Sequence, residues 1–231
     1  MATNIALVGP GAVGTTVAAL LSRAGHSVVV CGRTPRERIE LRPDGADPIV
    51  VPGPVHTDPG EVSGPVDVVL LAVKATQNRE AAGWLARLCD VHTIVVVLQN
   101  GVEQVEQVQP HCPRSPVIPG IVWYSAETQP HGWVRLRGEA ALVLPSGPSA
   151  ETVAELLRGA GCRVDCDPDI ITAAWRGCSP TRWPVSWRCR GGGRGCFAAT
   201  TWPRCRAATS PNAWPSRGPR VPGFPTASPT S

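Results

Sequence analysis

Residues 4–30 read NIALVGPGAVGTTVAALLSRAGHSVVV: a short apolar run, a glycine-rich turn, small and aliphatic residues at helical spacing, and a second apolar run. Few folds accept that order. The two apolar runs lack polar alternation, as strands covered on both faces do. The stretch 12–24 reads as a helix that stops at Gly25. A strand, a helix and a second strand in about thirty residues make one βαβ unit. Its turn, GPGAVG, fits GxGxxG where the strand hands over to the helix. There Gly9 permits the tight turn, Gly11 lets an anion approach the backbone, and Gly14 lets the helix pack closely. Amides at a helix start face such an anion. The whole turn (Gly9, Pro10, Gly11, Ala12, Val13 and Gly14) is therefore assigned to the pyrophosphate of a dinucleotide.

The pattern continues as alternating strand and helix. VDVVLLAVK (66–74) and TIVVVLQNG (93–101) are further continuous apolar runs, with a helix predicted between them over 76–88. VIPGIVW (117–123) reads as one more strand, 132–145 as an antiparallel pair, 150–158 as a helix, and 170–176 as the start of another. Residues 43–65 read as loop with a short strand around PIVVPG. The fold class is α/β, a Rossmann-like doubly wound sheet over residues 1–169 with helices on both faces.

Composition then changes abruptly. All 18 acidic residues, the one Lys and every Leu and Ile lie in residues 1–176, and residues 177–231 contain none of them. That last stretch holds eight Arg and nine Pro, so the whole-chain charge of +4 describes neither part. With so few large aliphatic residues it cannot offset the entropy of ordering, and disorder is expected over 177–231. No apolar stretch is long enough to span a bilayer and no basic leader precedes Asn4, which favours a soluble cytoplasmic protein without a membrane partner. The nine Cys are scattered and those of the tail form no CxxC, so no metal is assigned.

The second strand is followed by CGRTPRER (31–38), where an NAD enzyme usually places an acid for the ribose 2′-hydroxyl. An acid repels a 2′-phosphate, whereas guanidinium pairs with it. Arg33, ahead of Arg36 and Arg38, therefore points to NADP as cofactor. Lys74, the only Lys among 22 basic residues, and Asn100 leave the sheet at equivalent ends of consecutive strands. Ligands bind along that edge of open α/β sheets. Lys74 and Asn100 are accordingly assigned to the cofactor and to the substrate.

GPGAVG, Arg33, AVKATQ with Lys74, LQNGV with Asn100, and AAWR at 173–176 resemble the ketopantoate reductase family in order and spacing. The resemblance implies NADPH-dependent reduction of the 2-keto acid ketopantoate, an oxidoreductase step of pantothenate biosynthesis. It also implies that Ala126 lies against the nicotinamide side. In that family an all-helical second domain follows, and a Lys on its first helix donates the proton. Residues 170–176 would start that helix, but Gly177 stands where the Lys belongs and Thr181 where a family Asn follows. No catalytic residue is assigned.

A reading-frame shift between Arg176 and Cys178 accounts for both the missing motif and the composition break. Reread in the neighbouring frame of GC-rich DNA, Thr becomes Asn, Asp, His or Tyr. With G or C at unconstrained third positions and A before Thr181, CSPTRWPVSW rereads as Leu-Leu-Ala-Asn-Ala-Val-Ala-Gly-Leu-Val, a helical sequence with Asn at the family position. The chain as written is then expected to be truncated and impaired in turnover. Two alternatives stand beside this: a non-catalytic NADP-binding module, and a tail binding nucleic acid through RCRGGGRG with Trp187 and Trp202. Against the last, the tail lacks Lys, Tyr and a regular Arg-Gly-Gly repeat, so a nucleic-acid partner is disfavoured.

Overall fold

The computed structural model describes residues 3–177, and side chains through Ala174. All of these lie in the first of the two units into which the chain divides, Met1–Pro184. The expectations for the tail, namely disorder, an out-of-frame origin and nucleic-acid binding, concern residues outside those described.

The opening unit forms as β1 (Asn4–Val8), α1 (Ala12–Arg23) and β2 (Ser27–Cys31). Next come β3 (Arg38–Pro43), β4 (Ile49–Pro52), β5 (Val55–His56) and β6 (Val68–Leu71). They are followed by α2 (Asn78–Leu88), β7 (Ile94–Val97), α3 (Gln104–Val108) and β8 (Val117–Pro119). The six-stranded sheet runs β5-β2-β1-β6-β7-β8, with every pairing parallel. Alternate residues of each strand feed opposite cores. Ile5, Leu7, Val68 and Leu70 face the α1 side. Ala6, Val8, Val69 and Leu71 meet Trp84, Leu85 and Leu88 of α2 and Val108 of α3. Both faces are covered, which is why these strands read as unbroken apolar runs.

The remaining elements are β9 (Ile121–Val122), β10 (Ser125–Thr128), β11 (Val134–Arg137), β12 (Ala141–Pro145), α4 (Pro148–Gly159), β13 (Arg163–Asp167) and α5 (Ile170–Gly177). A four-stranded sheet, β10-β11-β3-β4, packs on the far side of α1. Helix α1 is thus enclosed from two sides, and Gly14 through Leu21 are all buried. That suits its small, largely apolar sequence, since a helix buried on two sides needs little polar surface; of the buried hydroxyls at Thr15 and Thr16, the latter donates to the Ala12 carbonyl at 2.9 Å. A third sheet, β13-β12-β9, lies between α4 and α5.

Two expectations are corrected. The run 117–123 is two strands in two sheets, because the chain passes at Gly120 from β8 to β9. A Cβ there would sit 2.8 Å from a terminal methyl of Leu98, so a larger residue at the crossing would make that side chain shift. The stretch 132–145 is not an antiparallel pair: β11 pairs with β10 and β3, while β12 pairs with β13 and β9. Gly138, at φ 72°, turns the chain away between them. Within 43–65 a short strand, β4, forms around PIVVPG amid loop, as expected; β4 pairs antiparallel with β3, with Ile39, Leu41, Ile49 and Val51 buried against α1.

Candidate dinucleotide site

The parallel registers bring the separate sequence signals to one edge. Val8 pairs with both Cys31 and Leu71, and Leu71 pairs with Val97. The turn after Val8, Arg33 just beyond Cys31, Lys74 beyond Leu71 and Asn100 beyond Val97 therefore leave the sheet side by side at its carboxyl edge. Strand β1 carries β2 on one side and β6 on the other, which makes this the switch point where open α/β sheets hold ligands.

The turn has the shape a pyrophosphate needs. Gly9 adopts φ 100°, and a Cβ on it would lie 2.9 Å from the backbone of Ala72 and Val73. A Cβ on Gly14 would lie 2.5 Å from the Gly9 carbonyl oxygen and 2.7 Å from Leu7. At Gly11, by contrast, nothing lies within 4 Å of where a Cβ would stand. The chain is thus closed at the outer glycines and open at the middle one, where a ligand would approach. Gly11 also caps α1 with no side chain in the way. The first amides of a helix have no partner within it and carry its positive dipole end, so Ala12 and Val13 suit an anion. Pro10 packs toward Gly32, whose Cβ would meet the Pro10 ring at 3.0 Å. Gly32 belongs to the site and went unread in the sequence; its place between the second strand and Arg33 was the available signal.

The three arginines of the basic run separate. Arg36 donates to the Gly132 carbonyl at 3.1 Å and is committed to the second sheet. Arg38 begins β3. Arg33 remains at the carboxyl edge, its side chain 76% exposed, 3.7 Å from the Glu80 carboxylate on the first turn of α2. Glu80 is a second residue not singled out by sequence.

Lys74 and Asn100 are exposed, three residues past paired strand ends, and a buried amide network joins their supports. The Lys74 amide donates to Gln77 Oε1 at 3.2 Å, and the Gln77 amide donates back to the Lys74 carbonyl at 2.8 Å. Next along the chain, Asn78 opens α2 and pairs with Gln99, the residue before Asn100. Gln99 Nε2 donates to Asn78 Oδ1 at 2.6 Å and Asn78 Nδ2 donates to Gln99 Oε1 at 3.5 Å. Gln104 donates to the Gln99 carbonyl as well. All three amides are buried, each exposed by 6% or less. Polar side chains inside an apolar strand end were the sequence signal for this tie, and it was missed.

Ala126 sits in β10, half-buried, paired with Leu136. Two residues earlier Tyr124 is buried and its hydroxyl donates to the Val13 carbonyl at 3.0 Å, linking this strand to the first turn of α1. Burial raises the Tyr124 phenol well above its ordinary value. Among the described residues no group of three His, Cys, Asp or Glu side chains is placed to hold a metal ion, and no helix is long and apolar enough to cross a membrane.

The family model for Ketopantoate reductase PanE/ApbA matches residues 5–149. The chain is 77% identical to the 2-dehydropantoate 2-reductase of Mycobacterium tuberculosis (strain H37Rv) over 176 residues, covering 76% of this chain and 60% of that protein. It is 35% identical to the 2-dehydropantoate 2-reductase of Caulobacter vibrioides over 176 residues, covering 75% of this chain and 60% of that one. The crystal structure of a PanE/ApbA family ketopantoate reductase from Ralstonia eutropha JMP134 superposes with a TM-score of 0.65 at 28% identity, covering 75% of this chain and 59% of that one. The chain thus spans about 60% of the length of these curated relatives.

Proposed function

Because the chain belongs to the ketopantoate reductase family, we propose that residues 1–169 form an NADPH-binding domain built for reduction of ketopantoate to pantoate in pantothenate biosynthesis. The observation that carries this reading is the in-register convergence of the phosphate turn, Arg33, Lys74 and Asn100 on one sheet edge. The residues suit the cofactor. The open face at Gly11 admits a pyrophosphate, Arg33 offers a fork of donors to a 2′-phosphate, and the ammonium of Lys74 can hold a ribose hydroxyl or the carboxylate of a 2-keto acid. Asn100 donates and accepts beside it, and Ala126 leaves room on the nicotinamide side. Bound NADPH supplies the hydride in this chemistry; the protein's part is to orient it and the ketone.

Residues 170–176 begin the family's second, helical domain, whose general acid has Gly177 in its place. The chain as written therefore binds cofactor but turns over poorly, in the cytoplasm where the family's other members supply pantoate. That same gap supports the second reading, a non-catalytic NADP binder. Fluorescence titration of NADPH and NADH on the wild type and Arg33→Gln tests the cofactor assignment. Losing a charged hydrogen-bond partner of the 2′-phosphate costs about 1.5–3 kcal/mol, or about 10–100-fold in NADPH affinity with NADH little changed. Equal losses for both nucleotides, or none, would sink the role of Arg33. NADPH oxidation on adding ketopantoate at an uncompromised rate would overturn the impairment.

A further inference from the structure

The segment from Gly32 to Arg36 carries Arg33, and both of its ends are tied down. At the near end the Gly32 amide donates to the His56 carbonyl at 2.9 Å. At the far end the Arg36 carbonyl accepts from the Val55 amide at 2.8 Å, and the next carbonyl, of Glu37, accepts from the Gly53 amide at 2.8 Å. Only Arg33, Thr34 and Pro35 lie between, all exposed. Pro35 has a fixed φ and biases Thr34 before it to extended backbone, so this short span has little freedom of its own. Where Arg33 is presented therefore depends on where the two ends are held.

Those backbone ties lead to a narrow support. All three run to β5 or to Gly53 just before it, and β5 is a two-residue strand at the sheet's edge, paired with β2 alone through Val55 and His56. The half-buried Arg36 side chain adds a tie in another direction. Its Nη1 donates to the Gly132 carbonyl at 3.1 Å, although 96 residues separate the two in sequence. Gly132 lies in the turn between β10 and β11, which is itself closed. The Gly132 amide donates to the Gln129 carbonyl at 3.0 Å and the Gln129 amide to the Trp133 carbonyl at 2.8 Å, while the Arg42 guanidinium lies 4.4 Å from the Trp133 ring centroid. Beyond the turn Val134 and Leu136 are buried against α1. Before it Tyr124 bonds the Val13 carbonyl at 3.0 Å. The β10–β11 hairpin is thus fastened both to the helix of the phosphate turn and to the segment bearing Arg33. The second contact has no slack: Gly132 sits at φ 85°, and a Cβ on it would lie 3.0 Å from Arg36 Nη1.

We infer that Arg36 is a positioning residue for nucleotide choice: its bond to the Gly132 carbonyl holds the segment at the place where Arg33 can meet a 2′-phosphate. This rests on the assignment of Arg33 to NADP proposed above. The two arginines divide the work. Arg33, exposed at the carboxyl edge, reads the phosphate; Arg36, half-buried and committed to a backbone carbonyl, fixes where Arg33 stands. A long exposed side chain gains affinity when its backbone is held in the binding arrangement beforehand, because less freedom is lost on binding. NADH lacks the 2′-phosphate, so its binding is indifferent to where Arg33 stands.

Fluorescence titration of NADPH and NADH on the full chain tests this. Arg36→Met should weaken NADPH binding by about 2–10-fold, the contribution of one ordinary hydrogen bond, and leave NADH unchanged. Arg36→Lys, which can still donate to the carbonyl, should recover most of that loss. On an Arg33→Gln background Arg36→Met should cost nothing more, because the residue it positions is gone. Gly132→Ala pushes the guanidinium away from the other side and should reproduce the selective loss, so the contact is read even if Arg36→Met does not fold. Equal losses for NADPH and NADH would make the bond a merely structural tie and overturn the inference, as would no loss at all. A full NADPH loss that persists on Arg33→Gln would mean that Arg36 binds the phosphate itself, which overturns it too. If Arg33→Gln discriminates between the nucleotides and the Arg36 and Gly132 variants do not, the positioning role alone falls. If Arg33→Gln does not discriminate, the NADP assignment falls and the inference with it.

Discussion

The Asn78–Gln99 pair makes a quantitative prediction, because its two amides are nearly inaccessible and bonded to each other. Gln99→Leu keeps the side-chain volume but deprives Asn78 Oδ1 of its 2.6 Å donor. Asn78 then retains Nδ2 only toward Gln107 Oε1 at 3.5 Å, a long contact. A buried acceptor left without its donor costs about 1–3 kcal/mol. Asn78→Leu is expected to cost a similar amount for the mirror-image reason. The double variant replaces both amides with apolar groups and strands neither partner, so it should be less destabilised than the singles added together, by about 1–2 kcal/mol. Urea unfolding of the four chains measures this: with a slope of about 1–3 kcal/mol per molar, each single variant should lose roughly 1 M in midpoint. Both singles should also weaken NADPH binding, because the pair fixes where Lys74 and Asn100 leave the sheet. Double-variant destabilisation equal to the sum within about 0.5 kcal/mol would refute the reasoning.

Glu80→Gln removes a carboxylate 3.7 Å from Arg33 and should raise NADPH affinity, by up to about fivefold since both groups are exposed, with the gain shrinking in high salt. Isothermal titration at two salt concentrations reads this, and an unchanged or weaker affinity counts against a 2′-phosphate at Arg33. Asp90 supplies a pH dependence. Its carboxyl is held below the ordinary 3.8, first by the His92 amide and then by the Thr93 hydroxyl and amide. A depressed pKa stabilises the fold above 3.8 and loses that contribution as pH falls through the lower folded value. Asp90→Asn should therefore melt lower than wild type at neutral pH, with the gap narrowing in acid. A gap that is constant with pH would contradict the assignment.

What could be read in advance followed from local rules, and what could not depended on partners distant in sequence. The turn at Gly9–Gly14 was legible because its outer glycines answer local demands, Gly9 for φ 100° and Gly14 for a position where a Cβ would lie 2.5 Å from the Gly9 carbonyl oxygen. Lys74 and Asn100 were legible because parallel strands of equal register deliver their next residues to one edge. The order β10-β11-β3-β4 was not, since it joins residues near 40 to residues near 135 and no local pattern encodes that pairing. The split at Gly120 was hidden because apolar continuity is the same whether a strand stays in one sheet or changes sheets. Gln99 and Asn78 were missed for a related reason: a buried amide is intelligible only once its partner is known.

The proposed reduction needs a proton donor, for which no residue among 1–176 is assigned, and the 77% identity to the mycobacterial reductase extends over 176 residues. Beyond Arg176 the acids, Leu and Ile vanish together, and we propose a changed reading frame in GC-rich DNA as the cause. Sequencing the encoding DNA should find a one-base change in the codons for Arg176–Cys178 that opens a longer frame with helical sequence. The frame-restored chain should then reduce ketopantoate with NADPH faster than the chain as written by about 10²–10⁴-fold, the usual worth of a positioned general acid. NADPH affinity should change far less, because the dinucleotide edge is complete in both. If the restored chain is no faster while both bind NADPH equally, the missing step lies elsewhere than in the helix after Trp175 and Arg176.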